Sequence, residues 1–191
     1  RSLIGGYGHD DRVCAYPALM AALDCPTPSY TTVTVLTDKE EIGSVGNTGL
    51  SSAYLQFFVE DLAKTQGLEG RDVLRASECL SADVNAGVDP TFQSVHDKLN
   101  ASFINRGIVV TKYTGARGKS DTSDANAEFV GKLRKLFDDN DIVWQIGELG
   151  KVDEGGGGTV AKYVAHLGVD VVDVGAVSYT HLRAHETDQY L

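Results

Sequence analysis

Two pairs of adjacent acidic residues could carry metal chemistry. Asp10 and Asp11 stand in the sequence GHDDR, and Glu40 and Glu41 stand in TDKEEIGS. A carboxylate can bridge two divalent cations, and of two adjacent glutamates one can bind metal while the other acts as a general base. The alternatives are a helix N-cap for the aspartates and a solvated charged turn for the glutamates.

Three further motifs follow along the chain. Asp83 lies among small residues in LSADVNAG, and Lys112 follows a strand-like run in VTKYTG. Asp83 could be a terminal metal ligand or an ordinary turn residue. Lys112 could bind a substrate or simply extend into solvent. The glycines of 155–158, ahead of Thr159, could let a peptide lie against bare backbone. Their spacing does not fit a nucleotide-binding loop.

The composition limits the class of protein. The chain has 191 residues, enough for one ordinary domain, with 42% hydrophobic and 23% charged residues. A net charge of −10 argues against nucleic acid as a partner, and no apolar run is long enough to cross a membrane. The cysteines, Cys14, Cys25 and Cys79, form no CxxC pair, which is typical of reduced thiols in a cytoplasmic protein.

Strand-like and helix-like segments alternate along the chain. This order predicts an α/β fold with a largely parallel central sheet flanked by helices. Strands are predicted at 31–37, 107–113, 141–146 and 169–174, and helices at 11–23, 50–62, 129–137 and 158–167. In the second helix the apolar stripe is Leu50, Tyr54, Phe57, Phe58 and Leu62, and the third helix takes its N-cap from the Ser and Asp residues of 120–124.

The candidate ligands each follow a strand-like run or begin a helix. In open α/β sheets, ligands bind beyond the carboxyl ends of the strands. We therefore expect Asp10, Glu40, Glu41 and Asp83 to converge at one cleft.

The motifs together resemble a known family. GHDDR, DKEEIGSVG, LSADVNAGVDPTF, KYTGARGKSDTSDANAE and GELGKVDEGGGGTVAKY occur in this order over residues 5–175. In this the chain resembles the aspartyl aminopeptidase family of zinc metallopeptidases, in its bacterial form. The resemblance implies a zinc-peptidase α/β core and a second domain that aids homo-oligomer formation. It also implies removal of N-terminal residues, often acidic ones, from peptides.

The same resemblance assigns roles to particular residues. Asp10 becomes the carboxylate that bridges two zinc ions, Glu40 the general base, and Glu41 and Asp83 the ligands of one ion each. The peptide bond between Asp10 and Asp11 is expected to be cis. The substrate-binding residues implied are Lys112, Gly157, Gly158 and Thr159.

The chain departs from the family pattern at its ends. Residues 1–175 correspond to the C-terminal part of the catalytic domain, incomplete at both ends because the family's first and last His ligands are not matched. His181 falls one residue short of the expected last ligand, in AVSYTHLRAH. We interpret 176–191 as an atypical, non-native tail. The resemblance predicts an aminopeptidase for the parent protein; the alternatives are an inactive or structural fragment and a related metal-dependent amidohydrolase.

Overall fold

A computed structural model describes residues 4–116, 120–148 and 150–179. The helices are α1 (His9–Asp24), α2 (Tyr54–Thr65), α3 (Gly70–Arg75), α4 (Ala127–Asp139) and α5 (Ala161–His166). The strands are β1 (Glu78–Ser81), β2 (Asn85–Ala86), β3 (Ile108–Thr111), β4 (Tyr113–Ala116), β5 (Ser120–Asp124), β6 (Trp144–Ile146), β7 (Asp170–Gly175) and β8 (Val177–Ser178). Among these described residues, no helix combines the length and hydrophobicity that a membrane span requires.

The central sheet has the strand order β1-β7-β3-β6. β1 runs parallel to β7 and β3 runs parallel to β6, whereas β3 and β7 are antiparallel. The predicted α/β class with a largely parallel sheet is therefore confirmed. One consequence was not foreseen: β1 and β3 run in opposite directions, so the segments that follow them leave the sheet in opposite directions as well.

The central strands β7 and β3 are largely buried, and β7 carries a buried valine on each face of the sheet. Val172 packs against α4 through Phe129 and Leu133, in a cluster that also includes Val110. Val171 points to the other face and packs against α3 and α5, together with the partly buried Leu55 and Val59 of α2. Because helices pack on both faces, the residues that follow each strand leave the sheet at fixed positions along its edges.

Two helices differ from their predicted details. α4 takes its N-cap from Asn126, whose side chain accepts a hydrogen bond from the Phe129 backbone N–H at 2.7 Å. Residues 120–124 form β5 instead, because they pair with β4. In α2 the predicted stripe was wrong for Tyr54, Phe57 and Phe58, which are exposed, since the helix turns Leu55 and Val59 to the core.

The predicted strand at 31–37 is wrong. These residues are extended and exposed, and within the described part of the chain no strand pairs with them. Leu36 is 59% exposed. A β-branched run becomes a strand only when a partner supplies hydrogen bonds and apolar cover, and neither is present here.

The first residues of the predicted tail belong to the fold. β8 pairs in parallel with β2, and Tyr179 packs against Ala86. The Asn85 backbone N–H donates to the carbonyl of Ala176 at 2.7 Å. Residues 180–191, with His181, lie outside the described residues.

Candidate metal centre

Three aspartates converge at the start of α1. One carboxylate oxygen from each of Asp10, Asp11 and Asp83 lies within 4.8 Å of the other two. Gly8 adopts the left-handed conformation with φ 66°, and Asp10 and Asp11 have non-helical backbone angles. The peptide bond between Asp10 and Asp11 is cis, as the resemblance implied. This local backbone brings both adjacent carboxylates to the same cluster, where a regular helix would turn them apart.

Asp83 reaches the cluster from the end of β1. It is 6% exposed, and its carboxylate accepts a hydrogen bond from the Val84 backbone N–H at 2.7 Å. Its backbone runs so close to β7 that a Cβ on Gly175 would overlap the Asp83 carbonyl oxygen. Glycine at position 175 therefore permits the approach that places Asp83 beside α1.

Cys14 lies one helical turn beyond the aspartate pair and is buried. Burial raises the pKa of the Cys14 thiol well above its usual range, and a hydrogen bond to the Asp11 side chain raises it further. The Cys14 thiol therefore stays in its neutral form beside the aspartates.

The donor set of the cluster fits a divalent cation. Three carboxylates at this spacing repel one another, and a cation between them relieves the repulsion. Two carboxylate oxygens on one zinc ion lie at most about 4.4 Å apart, twice a Zn–O distance of about 2.2 Å, so a spread within 4.8 Å needs little adjustment.

The predicted glutamates occupy a short 3-10 turn, Glu40–Ile42. Lys39, in a left-handed conformation before the turn, forms an ion pair with Asp38. Glu40 is half-buried and Glu41 is exposed, and neither belongs to the group formed by the three aspartates. The structure therefore brings Asp10 and Asp83 together, and the assignment of Glu41 as a ligand stays a prediction.

Lys112 follows β3 and is surrounded by acidic groups. Its ammonium pairs with the carboxylate of Asp124 on β5. Glu148, just after β6, is half-buried, and this burial raises its pKa to about 7 although the Lys112 charge acts in the opposite direction. The positive charge of Lys112, which was predicted to contact the substrate, is therefore already partly neutralised by Asp124.

The glycine-rich loop is packed tightly at one end and open at the other. A Cβ on Gly155 would overlap the carbonyl oxygen of Val95, and one on Gly150 would overlap the backbone of Gly156. Among the described residues other than its two chain neighbours, none places a heavy atom within 4 Å of a Cβ built on Gly158, so a ligand has room there. Thr159 is buried and its hydroxyl donates to Asp173, so its side chain is turned into the fold.

Sequence comparison decides the family. The profile described as aminopeptidase I zinc metalloprotease (M18) matches residues 1–186. The chain belongs to the peptidase M18 family. This confirms the resemblance drawn from the five ordered motifs.

Relatives of this M18 chain are similar in sequence and structure. It is 48% identical over 198 residues to a probable M18 family aminopeptidase 1 of Borrelia garinii, covering 100% of this chain and 43% of that protein. Against the M18 aminopeptidase structure from Thermotoga maritima it gives a TM-score of 0.83 at 44% identity, covering 91% of this chain and 40% of the other. The structure of aminopeptidase I from Clostridium acetobutylicum gives a TM-score of 0.82 at 44% identity, covering 92% and 39%. The chain thus spans less than half the length of these relatives.

Sequence reasoning on the M18 chain missed three residues of interest. Asp11 was considered only as an orienting group or helix cap, although its adjacency to Asp10 was the available signal. Glu148 stands in the quoted motif GELGKVDE, but nothing in the sequence indicated its burial. Asp173 stands among the valines of the predicted strand 169–174, and a carboxylate next to them was an available signal.

Proposed function

We propose that the full-length protein containing this chain is a zinc-dependent aminopeptidase that acts on peptides through two metal ions. The observation that carries the proposal is the convergence of Asp10, Asp11 and Asp83 in a chain of the M18 family. Asp10 would hold both ions, with Asp83 and Glu41 as further ligands. Bound zinc supplies Lewis acidity and lowers the pKa of water.

Glu40 is the proposed general base. It accepts a proton from the attacking water and delivers that proton to the leaving amine of the peptide. The 3-10 turn supports this separation of roles, because it directs the adjacent Glu40 and Glu41 to different surroundings, one half-buried and one exposed. A base must reach the water, whereas a ligand must reach the ion.

The proposed substrate is a peptide with an acidic N-terminal residue. Lys112 provides the positive charge for that side chain, and the open face of Gly158 provides space for the peptide backbone. The Lys112–Asp124 pair opposes this preference, because an acidic side chain has to compete with Asp124 for the same ammonium. A panel of substrates with acidic and neutral N-terminal residues tests the acidic preference.

Assembly into a homo-oligomer and a cytoplasmic location complete the proposal. One structural neighbour, at 24% identity, is the dodecamer of yeast mApe1, and at that identity the likeness supports only the shared fold. Light scattering of the full-length protein tests the assembly.

The deciding experiment uses the full-length protein and a panel of aminoacyl chromogenic substrates. We expect release of the N-terminal residue, loss of activity on chelation and recovery on addition of zinc. Glu40→Gln should lower kcat by on the order of 10²–10⁴. A protein that binds zinc but releases no residue from any substrate would instead be the inactive or structural subunit. Activity on non-peptide amides alone would identify an amidohydrolase.

A further inference from the structure

A row of buried polar residues crosses the centre of the sheet. Ser81 on β1 and Thr111 on β3 are both in register with Asp173 on β7, which lies between them. Asp173 is 5% exposed, and the two residues directly before it on β7 are buried valines. A carboxylate is expensive to bury in such surroundings, so its retention calls for a specific partner.

One such partner is the hydroxyl of Thr159. It donates a hydrogen bond to the Asp173 carboxylate and also accepts one from the Ala161 backbone N–H at 3.3 Å. Thr159 is itself 5% exposed. One side chain thus links the centre of the sheet, the end of the glycine-rich loop and the first residue of α5.

The opposite end of the loop is held separately. The Lys151 backbone N–H donates to the Val95 carbonyl at 2.8 Å, and the Gly155 N–H donates to the Lys151 carbonyl at 2.9 Å. Residues 156–158 therefore run between two fixed points, with Gly158 facing open space. Three glycines in succession have little intrinsic stiffness, so their position depends on those two points.

We propose that Asp173 is a positioning residue that, through Thr159, fixes the backbone of 156–158 where a peptide substrate binds. The substrate part of this inference rests on the proposed function, whereas the positioning of the loop does not. An ionised carboxylate is a stronger acceptor than an amide or hydroxyl, which suits it to holding a segment that has no side chains of its own.

The position of Asp173 in the sheet relates the glycine-rich loop to the aspartate cluster. Ser81 is in register with Asp173, and Asp83 follows Ser81 by two residues. Gly175, two residues beyond Asp173, is in contact with the Asp83 backbone. The carboxylate that holds the loop and the carboxylate of the cluster therefore lie along the same pair of strands.

The test compares four variants of the full-length protein. Thr159→Val removes the hydroxyl at nearly constant shape, Thr159→Ser keeps it, and Asp173→Asn removes the charge. Ser81→Ala is the matched control, since Ser81 is equally buried on the neighbouring strand and its hydroxyl has no hydrogen-bond partner within the described residues. Each variant is examined by hydrogen–deuterium exchange and by steady-state kinetics on peptides.

For Thr159→Val and Asp173→Asn we expect amide exchange in 155–161 to accelerate by on the order of tenfold, as loss of a charge-assisted hydrogen bond implies. Exchange in β1, β3 and β7 should stay unchanged. KM should rise more than kcat falls, because the loop binds substrate and does no chemistry. Ser81→Ala should match the wild type in both measurements, and Thr159→Ser, which keeps the hydroxyl, should leave exchange in 155–161 close to the wild-type rate.

Two exchange results would overturn the inference: unchanged exchange in 155–161, or equal acceleration throughout the sheet, which indicates a merely structural carboxylate. Because exchange needs no substrate, a wild type that cleaves no peptide refutes the proposed function alone. The positioning of the loop by Asp173 is then decided by the exchange data.

Discussion

The hydroxyl of Tyr163 donates a hydrogen bond to the backbone carbonyl of Gly43 at a distance of 2.8 Å. Tyr163 lies on α5, and Gly43 ends the 3-10 turn that carries Glu40 and Glu41. The helix that follows the glycine-rich loop therefore also holds the turn with the proposed base. Two parts of the site that are far apart in sequence depend on one short helix.

Replacing Tyr163 by Phe should loosen that turn. The change removes one partly exposed hydrogen bond, so we expect a loss of about 0.5–1.5 kcal/mol in the free energy of unfolding. Amide exchange in residues 40–43 should accelerate while that of the central sheet does not. Tyr54→Phe is the control, since Tyr54 is exposed and its hydroxyl makes no hydrogen bond among the described residues. Equal effects of the two changes would contradict a specific role for Tyr163.

The two adjacent glutamates should separate turnover from metal content. In the full-length protein, Glu40→Gln should lower turnover while zinc, measured by inductively coupled plasma mass spectrometry, stays nearly intact. Glu41→Gln should lose zinc and activity together, because a ligand donates to the ion whereas a base acts on water. Equal zinc loss in both variants would show that the roles are wrongly divided.

Asp124→Asn should shift substrate preference. The change removes the negative charge that pairs with Lys112, which frees the ammonium for an acidic side chain of the substrate. We expect the ratio of kcat/KM for acidic over neutral N-terminal residues to rise roughly fivefold, corresponding to about 1 kcal/mol of charge interaction. Asp121→Asn is the matched control, because Asp121 lies on the same strand and pairs with Lys162. A ratio that does not move would remove Lys112 from substrate recognition.

Glu148 should make stability depend on pH. Its pKa is about 7 in the folded protein against an ordinary value of 4.5, because burial disfavours the charged form. Between these pH values the unfolded chain binds fewer protons than the folded one, so wild-type stability falls as pH rises. Glu148→Gln should therefore be relatively more stable above pH 7, with the difference vanishing below pH 4.5, as followed by urea denaturation. The exposed Glu154→Gln change controls for loss of one charge, and parallel pH curves for wild type and Glu148→Gln would refute this prediction.

Sequence patterns correctly predicted those strands whose partner strands are also present in the structure. β7 was predicted from a run of valines and aspartates, and it is buried because β1 and β3 lie on either side of it. Residues 31–37 have an equally strand-like composition, yet no strand among the described residues pairs with them. Composition alone does not show whether a partner strand is present. Propensity describes the segment alone, whereas a strand is a property of at least two segments.

For the site, the sequence motifs predicted which residues take part better than they predicted the contacts among those residues. Asp10 and Asp83 were identified from their motifs and do converge. That Asp11 joins them depends on the local backbone at the start of α1, which no residue pattern displays. The link between Thr159 and Asp173 depends on the register of β7 in the sheet, and the burial of Glu148 depends on chain segments distant from it in sequence.

The exposed run at 31–37 has a practical consequence for handling this chain by itself. These seven exposed residues have high β-propensity and contain neither a charged residue nor proline. Such a segment can template the stacking of identical chains into fibrils. Asp38 and Lys39, directly after the run, act as gatekeepers because stacked copies would bring like charges together. Aggregation of the isolated chain should therefore increase with concentration and with salt, which screens that repulsion.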